Sequence, residues 1–174
     1  MIGPTGLRAL HASLLNHAPD HAVTVLQESG YGAGGDVYQS FAAWLPRATG
    51  FARPEDIDAA QLSAVVSRFF EQEGWGDLCV TSVGGGALAL DSAAWAEAEP
   101  ATAEQPMCFY SAGMLAEFFG RLSGEAVAVM EVECRSRGDA RCRFLTAMPE
   151  RLQQVYDGIT QGKSYEEALQ TASG

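Results

Sequence analysis

Hydrophobic residues in the first half of the chain recur at three- and four-residue steps. This spacing is followed by Val37, Tyr38, Phe41, Ala42 and Leu45, and again by Leu62, Val65, Val66, Phe69 and Phe70. Such a repeat places the apolar side chains on one face of an α-helix, where they can pack against a core. The first half of the chain is therefore predicted to be helical.

A glycine-rich run, GYGAGG at residues 30–35, lies within this helical region. Glycine lowers helix stability, so the run is expected to break or kink the join between helices. We do not interpret it as a phosphate-binding loop, because it follows a helical pattern instead of a strand and lacks the ending Gly-Lys-Ser/Thr.

From Leu78 onward the hydrophobic period changes to two. Residues 78–83 alternate between two faces, GGG follows at 84–86, and ALAL continues the pattern. This arrangement predicts a hairpin of two short strands. A second hairpin is predicted where EAVAVMEVECRS turns at RGDA into RCRFLTA.

Between the two hairpins, DSAAWAEAEPATAEQP at residues 91–106 is rich in Ala, Glu and Pro, and we interpret it as a surface connector. An apolar stripe with helical spacing then runs from Met107 to Leu122. Gly124 follows the stripe, as expected at the end of a helix. A final pair of helices is predicted after Pro149.

The order of predicted elements is helices, hairpin, helix, hairpin, helices. Helices arranged around local hairpins are typical of the α+β class. The sequence therefore predicts a small antiparallel sheet of two hairpins packed with several helices. No internal repeat or change of composition divides the chain, so residues 1–174 are expected to form a single domain.

The 174-residue chain carries a net charge of −11 and contains one lysine, Lys163. Binding to bare nucleic acid is not expected, because phosphate contacts need concentrated Lys and Arg. No apolar run approaches the roughly 20 residues that span a bilayer, and the N-terminus lacks the pattern of a signal peptide. We therefore expect a cytoplasmic protein with no nucleic-acid or membrane partner.

Four cysteines, Cys79, Cys108, Cys134 and Cys142, are too few for a disulfide scaffold in a chain of this length. Cys134 and Cys142 lie symmetrically about Gly138 and would face each other across the second hairpin, with Cβ atoms roughly 4.5 to 5.5 Å apart. That separation suits two thiolates on one zinc ion and, with modest adjustment, a disulfide. The hairpin alone leaves both alternatives open.

A third thiol, Cys108, is expected in the first turn of the helix that begins near Met107, where the helix dipole stabilises a thiolate. Three thiolates leave one tetrahedral position for a carboxylate oxygen, and Glu131 and Glu133 are both candidates. Alternation along the strand places Glu131 and Cys134 on opposite faces. Glu131 can therefore join the site only if the strand bulges or has begun to turn.

Four arginines surround the turn of this hairpin: Arg135, Arg137, Arg141 and Arg143. A zinc ion with three thiolates and one carboxylate has a net charge of −2, which these arginines are placed to offset. A solvated, locally basic hairpin face is the alternative.

The set Cys108, Glu131, Cys134 and Cys142, together with the segment CRSRGDARCRF, resembles the 4-vinyl reductase domain family. Its members include the sensory domains of bacterial phenol- and xylene-responsive regulators, proteins assigned to 4-vinyl reduction in bacteriochlorophyll synthesis, and stand-alone hydrocarbon-binding proteins. The resemblance is strongest from about Pro106 to the end, and it extends to VLQESGYGAGGDVYQSFAAWL. The fold that it implies is related to TRAPP subunits and haem nitric-oxide-binding domains.

The Cys–Glu–Cys–Cys spacing of 23, 3 and 8 matches the zinc ligands of the phenol sensors. The resemblance thus implies a structural zinc ion and favours Glu131 over Glu133. A zinc ion with four protein ligands offers no open position to a substrate. The resemblance also implies a homodimer with an apolar pocket for a small hydrophobic or aromatic ligand.

Trp75 and Val129 are the residues that we expect to line such a pocket. Trp75 precedes the first strand, and Val129 matches a pocket-lining strand position of the family; core packing is the alternative for both. Phenol sensors hold the phenol hydroxyl with a His and a Trp. The histidines of this chain, all near the N-terminus, are His11, His17 and His21. Phenol itself is therefore not expected as the ligand, and His17 and His21 are interpreted as surface residues.

Two other functions fit the resemblance. One is a 4-vinyl (tetrapyrrole) reductase, or a carrier, in bacteriochlorophyll biosynthesis; such a reductase needs a hydride or electron donor. The sequence shows no dinucleotide fingerprint after a strand, haem-attachment motif or iron–sulfur spacing, so a non-enzymatic role is favoured. The other is a protein–protein adaptor of the TRAPP type. The sequence also shows no ATPase loop or basic helix-turn-helix, so signalling would require a partner.

Overall fold

The computed structural model describes residues 4–171. The helices are α1 (Pro4–His17), α2 (Pro19–Ala48), α3 (Ala59–Gln72), α4 (Phe109–Ser123), α5 (Pro149–Thr160) and α6 (Tyr165–Thr171). The strands are β1 (Cys79–Gly84), β2 (Ala87–Ser92), β3 (Ala128–Glu133) and β4 (Cys142–Ala147). The predicted helical first half and the final helix pair are confirmed.

The two predicted hairpins join through β2 and β4 into one antiparallel sheet with the strand order β1-β2-β4-β3. The α+β class is thereby confirmed. Side chains of the two central strands alternate between two apolar cores. Leu90 and Phe144 belong to the larger core, which includes α2, α3 and α4, whereas Ala89 and Leu145 belong to a smaller core with α5 and α6.

The prediction that residues 30–35 break the helix is wrong, because α2 runs through them without interruption. A Cβ atom on Gly30 would lie 2.0 Å from the carbonyl oxygen of Tyr110, and one on Gly34 would lie 2.6 Å from that of Met114. From the other side, a Cβ atom on Gly113 would lie 2.0 Å from the carbonyl oxygen of Gln27. The glycines therefore permit backbone contact between α2 and α4, and this packing outweighs their low helix propensity.

The interpretation of residues 91–106 as a surface connector is wrong for its first part. Trp95 is only 1% exposed and lies between Phe70, Trp75 and Phe144. Its indole N–H donates a hydrogen bond of 2.7 Å to the Ser111 hydroxyl. The segment is irregular in backbone but contributes a large aromatic side chain to the main core.

No helix among residues 4–171 is both long and apolar enough to cross a membrane.

Candidate metal centre and adjoining cavity

Three thiols and one carboxylate converge where the second hairpin meets the head of α4. The Cys108 sulfur lies 3.9 Å from the sulfur of Cys134 and 3.9 Å from that of Cys142. With Glu131, the four candidate ligand atoms all lie within 4.8 Å of one another. All three thiols are buried and none is in a disulfide. Tetrahedral coordination with Zn–S distances of roughly 2.3 Å requires sulfurs about 3.8 Å apart, close to this separation.

A β-bulge brings Glu131 to the cysteine side. Glu131 pairs with Phe144 on β4, but Glu133 pairs with Arg143, so Val132 is an extra residue in β3. Such an insertion re-aims the side chains on either side of it. The condition set by strand alternation is therefore met, and Glu131 lies with the thiols.

The hairpin turn then positions the second and third thiols. Cys134 precedes a short 3₁₀ turn, Arg135–Arg137, and Gly138 closes the turn with a φ of 101° that favours glycine. Cys142 is the first residue of β4. Cys108 is the N-cap of α4 and not a residue of its first turn as predicted.

The two carboxylate oxygens of Glu131 differ in their surroundings. Oε2 accepts a hydrogen bond of 2.9 Å from the backbone N–H of Cys108, whereas Oε1 is buried and has no hydrogen-bond partner among the described residues. A buried carboxylate oxygen without a partner is costly. Its position beside three thiols is the arrangement expected of a metal ligand, so the residues present fit a bound cation.

Electrostatics at the cluster point the same way. Burial raises the pKa of Glu131 to about 8, and the charge of Cys134 adds to this shift. Hydrogen bonds from the thiols of Cys108 and Cys142, and one from the backbone N–H of Met107, lower the pKa of Cys134. Contacts with the other two sulfurs, followed by burial, raise the pKa of Cys108. The protein alone therefore favours one thiolate, and ionising all four groups requires a cation.

The arginines of the hairpin do not offset the charge of the cluster as predicted. Arg141 bonds to both Glu133 oxygens at 2.9 and 3.0 Å, and Arg143 bonds to both Asp91 oxygens at 2.7 and 2.6 Å. Arg137 pairs with Asp139 at 2.7 Å. These three guanidinium groups are thus neutralised by other carboxylates. Glu133 is occupied by Arg141 and is not the cluster's carboxylate.

A cavity of about 300 Å³ lies near the head of α4. It is lined by Leu7, Ala33, Asp36, Val37, Ser40, Phe69, Glu73, Trp75 and Tyr110. The ring of Trp75 stacks in parallel on Tyr110, with 6.1 Å between ring centroids. The structure therefore places Trp75 in a cavity wall.

Val129 does not share this cavity. It lines a more open groove of about 310 Å³ on the other side of α4, together with Gln27, Glu28, Tyr31, Ala112, Gly113, Ala116 and Ala128. Trp75 and Val129 thus lie in separate concavities. His17 and His21 are exposed, as predicted.

A buried polar network around Glu97 was not predicted from the sequence. The Glu97 carboxylate accepts hydrogen bonds from the backbone N–H groups of Tyr110 (3.0 Å) and Ser111 (2.7 Å) and from the Ser111 hydroxyl, and these bonds cap the start of α4. His11 Nε2 lies 2.7 Å from the same carboxylate, although out of line for a regular hydrogen bond. An isolated Glu in an Ala-rich connector carries no pattern that could have revealed this.

This network is not arranged for nucleophilic catalysis. Ser111 and His11 both contact Glu97, so the carboxylate stands between the hydroxyl and the imidazole. A serine nucleophile needs the base next to its own hydroxyl. The arrangement instead fastens α1 to the head of α4.

Comparisons with known proteins agree with this description. The family profile of the 4-vinyl reductase domain matches residues 94–147. Comparison with curated proteins gives no match. The fold is similar to the crystal structure of the phenol-responsive sensory domain of the transcription activator PoxR with phenol. That alignment has a TM-score of 0.62 and 14% identity, and it covers 100% of this chain and 83% of the other. The profile match, with which the shared fold agrees, identifies this chain as one that carries a 4-vinyl reductase domain.

Proposed function

We propose that this chain is a sensor-type domain that binds a small hydrophobic or aromatic molecule, with a structural zinc ion beside the ligand cavity. The observation that carries the proposal is the convergence of Cys108, Glu131, Cys134 and Cys142 at the head of the helix that also forms a cavity wall. The family match and the fold shared with a phenol-responsive sensory domain support the same class of function.

Zinc is the cation that fits the donor set best. Thiolate-rich tetrahedral sites select zinc over hard cations such as magnesium or calcium. When bound, the ion would hold the three thiolates and the carboxylate in their charged forms. Because all four ligands come from the protein, the ion would link α4 to the second hairpin, and we assign it no catalytic role.

The metal site and the cavity share the start of α4. Cys108 caps this helix, and Tyr110, two residues further on, lines the cavity and stacks on Trp75. Trp75 also stacks on Trp95, and its carbonyl accepts a hydrogen bond of 2.9 Å from the backbone N–H of Ala96. Fixing the head of α4 therefore fixes one wall of the cavity.

The cavity suits a small ligand. Its volume of about 300 Å³ lies at the lower end of the range for small-molecule pockets. Buried aromatic and aliphatic residues, Phe69, Trp75 and Leu7, form its apolar part. His11 contacts Glu97 and is not among the described lining residues, so the ligand would be held differently from the phenol hydroxyl in the sensors that the sequence resembles.

The homodimer that the resemblance implies is retained as part of the proposal. Native mass spectrometry of freshly purified protein tests the metal, the bound organic molecule and the subunit count together. We expect one zinc ion per chain and a dimer mass. Protein without zinc after purification in metal-replete medium would contradict the metal assignment.

Fluorescence titration tests ligand binding. We expect small aromatic compounds to quench the emission of Trp75, and a Trp75→Phe variant to lose most of this response. Trp44, which is not among the described residues that line the cavity, provides the control substitution, Trp44→Phe. Reduction of a vinyl tetrapyrrole by the purified chain with NADPH would instead favour an enzymatic role.

A further inference from the structure

The polar groups of the cavity beside Trp75 carry charge of one sign. Asp36 and Glu73 line it, and none of the nine described residues that line it is basic. Among the described residues, neither carboxylate takes part in any of the ion pairs. Asp36 is exposed at the rim and Glu73 is half-buried. Both carboxylates are therefore available to a ligand.

Two helices place these carboxylates above an apolar floor. Ala33, Asp36, Val37 and Ser40 follow the spacing of one face of α2, and Ala33 leaves room because its side chain is small. On α3, Phe69 lies one turn before Glu73, which is the C-cap of that helix. The carbonyl groups at a helix C-terminus favour a nearby cation, and they add to the carboxylate charge.

The aromatic wall has the same preference. Trp75 and Tyr110 stack in parallel with an interplanar angle of 8°. The face of an aromatic ring attracts cations, and indole does so most strongly. The chain as a whole has a net charge of −11, which raises the local concentration of cations and repels anions.

Building on the proposed sensor function, we infer that this cavity binds a small amphipathic amine. Its ammonium group would contact Asp36 and Glu73, and its apolar body would lie against Trp75 and Tyr110. A neutral molecule of the same shape would leave both carboxylates without a charged partner. A carboxylate of the same shape would be repelled by them.

Three compounds of matched shape and different charge test this inference: 2-phenylethylamine, 2-phenylethanol and phenylacetate. Titration of the full zinc-loaded chain near pH 7, followed by tryptophan fluorescence or calorimetry, should rank the amine first and phenylacetate last. We expect the amine to bind at least about tenfold more tightly than the alcohol, because charge-assisted hydrogen bonds are roughly twice as strong as neutral ones. Added salt should weaken the amine more than the alcohol.

Variants locate the effect. Asp36→Asn and Glu73→Gln should each lower the affinity for the amine and leave that for the alcohol nearly unchanged. Glu28→Gln is the matched control, because Glu28 is a carboxylate on α2 that lines the separate Val129 groove. Circular dichroism and melting temperature verify that each variant is folded.

The outcomes separate the two proposals. Binding of the alcohol as tight as that of the amine, or an amine affinity that survives both cavity substitutions, would overturn the amine inference and leave a hydrophobic-ligand sensor. A loss of amine binding in Glu28→Gln alone would assign the site to the other groove and also overturn it. Failure of all three compounds to bind would count against both the inference and the ligand-binding part of the proposed function.

Discussion

Glu131 and Glu133 are two residues apart on β3, yet their side chains meet different partners. Glu131 accepts from the backbone of Cys108, whereas Glu133 bonds to Arg141. In a regular strand, residues two apart share a face. The register shift between them separates the pair. A bulge leaves no mark in the hydrophobic pattern, so the residues alone left both carboxylates open, and only the family resemblance favoured Glu131.

Replacing one thiol of the cluster tests the metal site. Cys142→Ser should lose bound zinc and lower the melting temperature, because a serine hydroxyl does not replace a thiolate ligand. The loss of a structural metal costs several kcal/mol, with about 10 to 16 kcal/mol as an upper guide from zinc-finger peptides. Elemental analysis and thermal melts measure the two effects, and Cys134→Ser should behave alike.

Cys79→Ser is the matched control for these variants. Cys79 is exposed on β1 and lies outside the cluster, so its serine variant should bind one equivalent of zinc and melt like the parent. A Cys142→Ser protein that retained both full metal content and the parent's melting temperature would refute the assignment.

Glu97 offers a second test at the scale of one residue. Glu97→Ala removes the acceptor of the Tyr110 and Ser111 backbone N–H groups and the partner of His11. Buried donors left without partners cost about 1 to 3 kcal/mol. In a domain of this size each kcal/mol lowers the melting temperature by about 2 to 4 °C.

The control for this change is Glu104→Ala, on the same connector. Glu104 is exposed, so its removal should leave the melting temperature within error of the parent's. Equal melting temperatures for the two alanine variants would show that the Glu97 network does not stabilise the fold.

At the scale of elements, α2 and α4 are held together by backbone contact at their glycines. Gly30→Ala would place a Cβ atom 2.0 Å from the Tyr110 carbonyl oxygen. The helices would have to separate, at a cost of about 1 to 3 kcal/mol for overpacking. We expect a lower free energy of unfolding in chemical denaturation.

Gly32→Ala should have the opposite sign. Gly32 lies on the same helix, and no atom of the described residues beyond its own helix turn lies within 4 Å of the place that a Cβ atom would take, so the new methyl group meets open space. Alanine there should stabilise α2 by about 0.5 to 1 kcal/mol through helix propensity. If both variants shifted stability in the same direction, close packing would not be the reason for Gly30.

The elements that the sequence predicted well are those whose pattern is local. The stripe from Met107 to Leu122 and the alternation in both hairpins each reflect burial of a single face. Residues 30–35 and the segment around Trp95 were predicted wrongly, because partners distant in sequence decide their structure. Low helix propensity and low hydrophobic periodicity describe isolated segments, and tertiary packing overrides both.

At the scale of the molecule, the head of α4 is where separate parts of the chain meet. Cys108 joins the second hairpin, Glu97 links the irregular connector to His11 of α1, and Tyr110 joins the cavity wall. Leu7, on the same helix as His11, lines the cavity from the other side. The sequence predicted the thiol cluster because its spacing matches a known family, whereas the Glu97 network depends on contacts that no local pattern encodes.

This shared position predicts that metal and ligand are coupled. Removing zinc with a chelator should lower the melting temperature by about 10 °C or more, given a loss of several kcal/mol and about 2 to 4 °C for each. The head of α4 would loosen, and with it the contact between Tyr110 and Trp75. Affinity for a small aromatic ligand should therefore fall in the metal-free protein, and it should recover when one equivalent of zinc is added. Full ligand affinity in protein shown by elemental analysis to be zinc-free would mean that the cavity is formed without the metal.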